Sequence, residues 1–126
     1  MLSASLLTIV ETPSFISDAK KILEIDEREA LIHYLASNPK AGVLLKGTGG
    51  IRKIRWAGEN IGKSGAYRVI YFFHSMEIPL FLLNIFTKNE KANISQAERN
   101  ELKQLADMLV KQYKTVRKGY GRKTNN

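Results

Sequence analysis

Cysteine is missing from this chain of 126 residues. Its absence removes disulfide frameworks, thiol nucleophiles and Cys-ligated zinc or iron–sulfur centres together, and it fits a reducing compartment. Histidine is scarce, with only two in the chain. His33 falls on an expected helix and His74 at an expected strand end, without metal-ligand spacing, so both read as surface or packing residues. The acidic residues show no paired pattern suited to Mg²⁺. No metal and no cofactor are therefore expected. No apolar run reaches the roughly 18–20 residues that cross a bilayer. The first residues, MLSASLLTIVETP, lack the basic start of a signal peptide. A soluble, cytoplasmic domain without a membrane partner is expected.

What the chain does have is a core and an uneven charge. With 44% hydrophobic residues it can bury one domain's interior. The formal net charge is +8, and it is concentrated. Residues 40–68 hold seven Lys/Arg against one Asp/Glu, and residues 111–126 hold six against none, whereas residues 1–39 are net acidic. Clustered cations displace the counterions condensed on phosphates, so a polyanion is the partner this pattern suits.

The order of elements follows from local signals. Leu6–Glu11 is a short β-branched strand. Thr12-Pro13 supplies an N-cap and a first helical residue, and Phe15, Ile16, Ala19, Ile22 and Leu23 follow at helical spacing. Asp26 and Glu29 form an acidic capping box for a second helix, which stops before Asn38-Pro39 because the residue before proline is driven out of the helical region. Gly47, Gly49 and Gly50 make a turn. Three strands follow at Ile51–Ala57, Ala66–His74 and Ile78–Thr87, with Pro79 tolerable only at a strand's start. Ser95-x-x-Glu98 then caps a helix carrying Leu102, Leu105, Ala106, Leu109, Val110 and Tyr113 on one stripe. The sum is an α+β fold with an N-terminal strand, two helices, a three-stranded antiparallel meander and a C-terminal helix, the helices expected on one face. Residues 1–116 form the single domain; residues 117–126 lack periodicity and read as a flexible basic tail.

Chemistry concentrates in GTGGIRKIRWAGENIGKSGAYRVIY, residues 47–71. Strand alternation puts Lys53 and Arg55 on one face, roughly 7 Å apart, with Ile54 and Trp56 on the other. An antiparallel hairpin would bring Arg68 beside that pair. Lys63, on the intervening loop, and Lys88, after the third strand, could converge on the same surface. Such a cluster can hold a phosphodiester and stabilise the additional charge of a pentacovalent transition state. Crowding by arginines disfavours a lysine's ammonium form, which makes a lysine of this set a candidate general base for metal-independent cleavage through a 2′-hydroxyl. Charge spacing alone suits a nuclease and a non-catalytic nucleic-acid-binding module equally well.

GTGGIRKIRWA, SGAYRVIYFF and LLNIFTKNEKANIS resemble the RelE/ParE superfamily of bacterial toxins, and within it the RelE-like HigB toxins of type II toxin–antitoxin modules. The resemblance implies a microbial-ribonuclease-like α+β fold and a toxin that cleaves mRNA in the ribosomal A site, so that the partners would be ribosome and mRNA. It further implies a cognate antitoxin, of helix-turn-helix type, through which alone operator DNA would be bound. Lys53, Arg55 and Arg68 match the family's basic catalytic residues. The segment after the last strand departs from the pattern. It has no tyrosine, Asn89 stands where the family has an arginine, and Lys88 and Glu90 become candidates for a catalytic share. Lys46, Arg52, Lys63, Lys91, Arg117 and Lys118 are candidate RNA contacts. A ParE-like inhibitor of DNA gyrase is the alternative within the same fold.

Overall fold

The computed structural model describes residues 7–57, 66–88, 90–91 and 93–125, with the backbone alone for 115–125. The elements are β1 (Ile9–Glu11), α1 (Pro13–Ile22), α2 (Ile25–Ser37), β2 (Val43–Leu44), β3 (Ile51–Trp56), β4 (Tyr67–Phe72), β5 (Leu80–Thr87) and α3 (Gln96–Asn125). They build an α+β fold around one five-stranded sheet of order β1-β5-β4-β3-β2. The meander β3-β4-β5 is antiparallel, while β1 runs parallel to β5. A parallel neighbour needs a long crossover, and here the helices and the first half of the sheet supply it.

Thr12 links the first strand to the first helix. Its hydroxyl accepts from Phe15 N at 3.3 Å as the N-cap and donates to Leu82 O at 2.8 Å, so the cap also ties the helix start to β5. The second helix begins two residues earlier than Asp26 would require. Only Leu23 and Glu24, both extended, separate α1 from α2, which puts the N-cap on Glu24, and Glu27 Oε1 accepts from the Glu24 N–H at 3.0 Å. Asp26 lies instead within the first turn, where its charge complements the helix dipole.

The helices occupy both faces of the sheet, not one. Phe15, Ala19, Leu31 and Leu35 from α1 and α2 pack with Val69, Tyr71, Leu82 and Ile85. On the reverse face, Leu102, Leu105, Ala106, Leu109 and Tyr113 of α3 cover Ile51, Ile70, Phe72 and Phe81. The central strands are apolar on both sides, and each side requires a cover. Helix α3 continues through the stretch expected as a tail, to Asn125.

Strand β2 is too short for a periodicity signal, and a tyrosine on β4, two strands away in the same sheet, holds the segment before it in place. The Tyr71 hydroxyl donates to Pro39 O and accepts from Gly42 N, both at 2.8 Å. A Cβ on Gly42 would sit 2.9 Å from that hydroxyl and 3.0 Å from Lys53 O, so the close approach requires glycine. The turn into β3 has Gly47, Gly49 and Gly50 at positive φ, around a fully buried Thr48 whose hydroxyl bonds Leu45 O and Ile51 N.

Candidate functional site

The placement of the basic residues follows from strand register. Ile51 belongs to the core under α3, and Ile54 and Trp56 pack toward α1 and α2, so Lys53 and Arg55 project on the α3 side. In the β3–β4 ladder Arg55 is directly opposite Arg68, and Lys53 is opposite Ile70. A register shift between Ile70 and Tyr71 then sets Arg68 opposite Phe86, and Ile70 opposite Asn84, on β5. One row across three strands therefore reads Arg55, Arg68, Phe86.

Helix α3 crosses the other end of this face, where its Asp107 lies 3.9 Å from where a Gly49 Cβ would be and its Tyr113 ring stacks edge-on to Phe81 at 6.3 Å. Along the row Arg55 is exposed, Arg68 half-buried and Phe86 buried beside the first turns of α3. Among the described residues neither arginine pairs with a carboxylate. The Arg68 guanidinium bonds only weakly to a carbonyl of its own chain segment, Ala66 O at 3.4 Å. Like charges directly opposite each other on neighbouring strands repel. An anion seated between Arg55 and Arg68 would reverse that penalty, and a phosphate offers oxygens that suit two planar guanidinium forks.

The remaining candidates are dispersed. Arg52 points to the opposite face, as alternation demands, and its Nη1 donates to Gly42 O at 2.8 Å and Lys40 O at 3.3 Å, holding the loop before β2. It is not brought to the arginine row. Lys46 is exposed in the turn between β2 and β3, and Lys88 is exposed just past β5. Glu90 closes the turn there: its Oε1 accepts from Thr87 N at 2.8 Å and Thr87 Oγ1 at 3.1 Å, and Thr87 lies opposite Tyr67, on the α1–α2 side. Lys63 and Asn89 lie outside the described residues, and Arg117 and Lys118 are described by backbone alone, on α3.

Lys91 does reach the row. Its ammonium sits 5.3 Å from the Phe86 ring centroid and forms an ion pair with Glu98 Oε2. Glu98 is readable as the N3 residue of the Ser95 capping box, and it fills that place: its N–H donates to Ser95 Oγ at 3.1 Å and its Oε1 accepts from Ser95 N at 3.0 Å. Its second oxygen, directed at Lys91, had no signal in the pattern. Beside Phe86 and Lys91 a cleft of about 260 Å³ opens, with Asn84, Glu98 and Glu101 on its wall and Ile70 and Leu102 as apolar lining. His74 lies in a different cleft, with Tyr34 and Met76. No group of three or more His, Asp or Glu among the described residues is placed to hold a metal ion, and none of the described helices is long and apolar enough to cross a membrane.

The hydrogen bond from Lys91, followed by that from the Ser95 N–H, lowers the Glu98 carboxyl pKa below its ordinary value. A lowered folded-state value means that Glu98 stabilises the fold fully above the ordinary carboxylate pKa and ceases to do so as pH falls through the lowered one. The difference in urea midpoint between the unaltered chain and Glu98→Gln is thus expected at neutral pH and to vanish in acid. Because the pair is more than a third exposed, added salt should also reduce it.

The strand pair Arg55–Arg68 has no carboxylate partner among the described residues, and in the comparison against known protein families residues 40–118 match the RelE toxin of RelE / RelB toxin-antitoxin system. That span takes in β2 through most of α3, including Lys53, Arg55, Arg68, Phe86, Lys91 and Glu98. The chain belongs to the RelE toxin family.

Proposed function

We propose that this chain is the toxin of a type II toxin–antitoxin pair and that it stops translation by cutting mRNA on the ribosome. The observation that carries the reading is the directly opposed Arg55–Arg68 pair, free of carboxylate partners among the described residues, with Arg55 exposed and Arg68 half-buried. In the proposed reaction a 2′-hydroxyl loses its proton to a base, its oxygen bonds to the adjacent phosphorus, and the 5′-oxygen leaves and takes up a proton. The products are a 2′,3′-cyclic phosphate and a 5′-hydroxyl. Arg55 and Arg68 would face the non-bridging oxygens, whose charge increases in the transition state, and Lys53 lies on the same face for the proton or for charge. No step requires a metal.

A cognate antitoxin of helix-turn-helix type would neutralise the toxin and carry the complex to its operator. The reading is tested by inducing the chain in cells and mapping mRNA 5′ ends within minutes. Cuts in phase with codons are expected, and they should disappear when translation initiation is blocked first. Intact mRNA with accumulating gyrase–DNA breaks would replace this reading with a ParE-like one. Growth inhibition without either would leave a non-catalytic nucleic-acid binder.

A further inference from the structure

We propose that Glu98 is a positioning residue, holding the Lys91 ammonium over Phe86 so that it completes the Arg55–Arg68 row as a third cation; the proposal rests on the ribonuclease reading of that row. The three row positions lie on successive strands, roughly 5 Å apart. Phe86, at 8% exposure, gives the third strand an apolar place with no charge of its own. Lys91 supplies the charge from the segment after β5, on a flexible four-carbon stem that would otherwise sample many rotamers.

Two attachments remove that freedom. One is the Phe86 ring face under the ammonium, at 5.3 Å. The other is Glu98 Oε2, and this carboxylate is itself anchored, because its other oxygen and its own backbone N–H are both engaged by Ser95. The first turn of α3 thereby fixes a cation from the β5–α3 connection over a ring of the sheet. Glu101, one turn further along, lines the same cleft but is not ion-paired to Lys91.

Glu98→Gln separates the two roles of the glutamate. A glutamine carbonyl can still accept from Ser95 N, so the helix cap survives, while its amide nitrogen offers Lys91 no acceptor. Single-turnover cleavage of mRNA on programmed ribosomes by the full chain is the assay, with Glu98→Gln, Lys91→Met and the double variant. Glu98→Gln is expected to lower the maximal rate by about tenfold through lost orientation. The ribosome concentration giving half that rate should stay the same or fall, because a positive charge is released, and the melting temperature should fall only by the small amount that one exposed ion pair contributes, as in Lys91→Met. Lys91→Met should lose a similar factor and the double variant no more than either single one. In parallel, the Glu98 carboxyl carbon followed by NMR should titrate at an acid-shifted position that returns toward the ordinary one in Lys91→Met.

An unchanged maximal rate in Glu98→Gln would overturn the proposal, as would losses that multiply in the double variant. A fall in rate with a fall in melting temperature clearly larger than that of Lys91→Met, which loses the same ion pair but keeps the cap, would reduce Glu98 to a helix cap and overturn it equally. If the unaltered chain cuts no ribosome-bound mRNA, the ribonuclease reading fails and takes the catalytic part of the proposal with it, and the NMR titration still decides whether the Lys91–Glu98 pair forms.

Discussion

Arg68→Ala is expected to lower the maximal rate of mRNA cleavage by about a hundredfold or more, the usual effect of deleting one donor that faces developing charge. Ribosome affinity should change far less, because a large basic surface remains and a single phosphate contact adds little to it. The argument turns on where the guanidinium stands. It is half-buried, centrally placed in the row, flanked by Arg55 on one side and Phe86 on the other, with no carboxylate to hold it among the described residues. A residue kept there for stability would be paired; this one faces a like charge, and removing it relieves a cross-strand repulsion. The melting temperature of Arg68→Ala should accordingly equal or exceed that of the unaltered chain. Arg68→Lys should recover part of the rate but not all, since an ammonium cannot present two parallel donors to one phosphate. Single-turnover kinetics over a range of ribosome concentrations separates the two quantities. Equal losses in rate and affinity would make Arg68 a docking contact, and a lowered melting temperature would make it a structural one.

The local devices of this fold were readable because each lies within a few residues. Thr12-Pro13, Asn38-Pro39, the glycine turn at 47–50 and the Ser95-x-x-Glu98 box all stand where short-range sterics and hydrogen bonding put them. The opposition of Arg55 and Arg68 was legible for a similar reason, since two adjacent antiparallel strands with known alternation leave few registers. Longer-range arrangements were not legible. Nothing in IVE or VL announces that β1 lies parallel to β5 or that β2 extends the sheet. Arg52 could be assigned to the face away from Lys53, yet the carbonyls of Lys40 and Gly42 that hold it arrive by a loop whose path Tyr71 determines. Lys91 and Glu98 are separated by seven positions and a change from loop to helix, so no periodicity relates them. The apolar character of both sides of β4 and β5 did contain the information that helices cover both faces, and the antiparallel meander alone did not.

Phe72→Ala provides the largest expected effect on stability, about 3–5 kcal/mol, as for other buried phenylalanines cut back to alanine. The side chain is fully buried on the α3 face, its ring centroid 6.5 Å from that of Phe81, and it closes against the turn at Gly50 so tightly that a Cβ there would lie 2.9 Å from it. The void left behind cannot be filled easily, because the row above it is anchored by β3 and the helix below it by Leu105, Ala106 and Leu109. Phe15→Ala, on the opposite face, is the proper control: it is equally buried but belongs to the α1–α2 core. If α3 covers its face as firmly as α1 and α2 cover theirs, urea unfolding should assign the two variants comparable losses. A cost for Phe72→Ala below about 1 kcal/mol, with Phe15→Ala at full size, would mean that α3 is not held against the sheet in solution. The distinction bears on the site, because the first turn of α3 carries Glu98 and so holds Lys91. At a temperature where Phe72→Ala remains folded, cleavage should persist at a reduced rate, since Arg55 and Arg68 project from strands that β-ladder bonds hold independently of the helix. Heating should then abolish it in step with unfolding, whereas Arg68→Ala is expected to be inactive while fully folded. A Phe72→Ala protein that is inactive while folded would place the helix, and not the strand pair, at the centre of the chemistry.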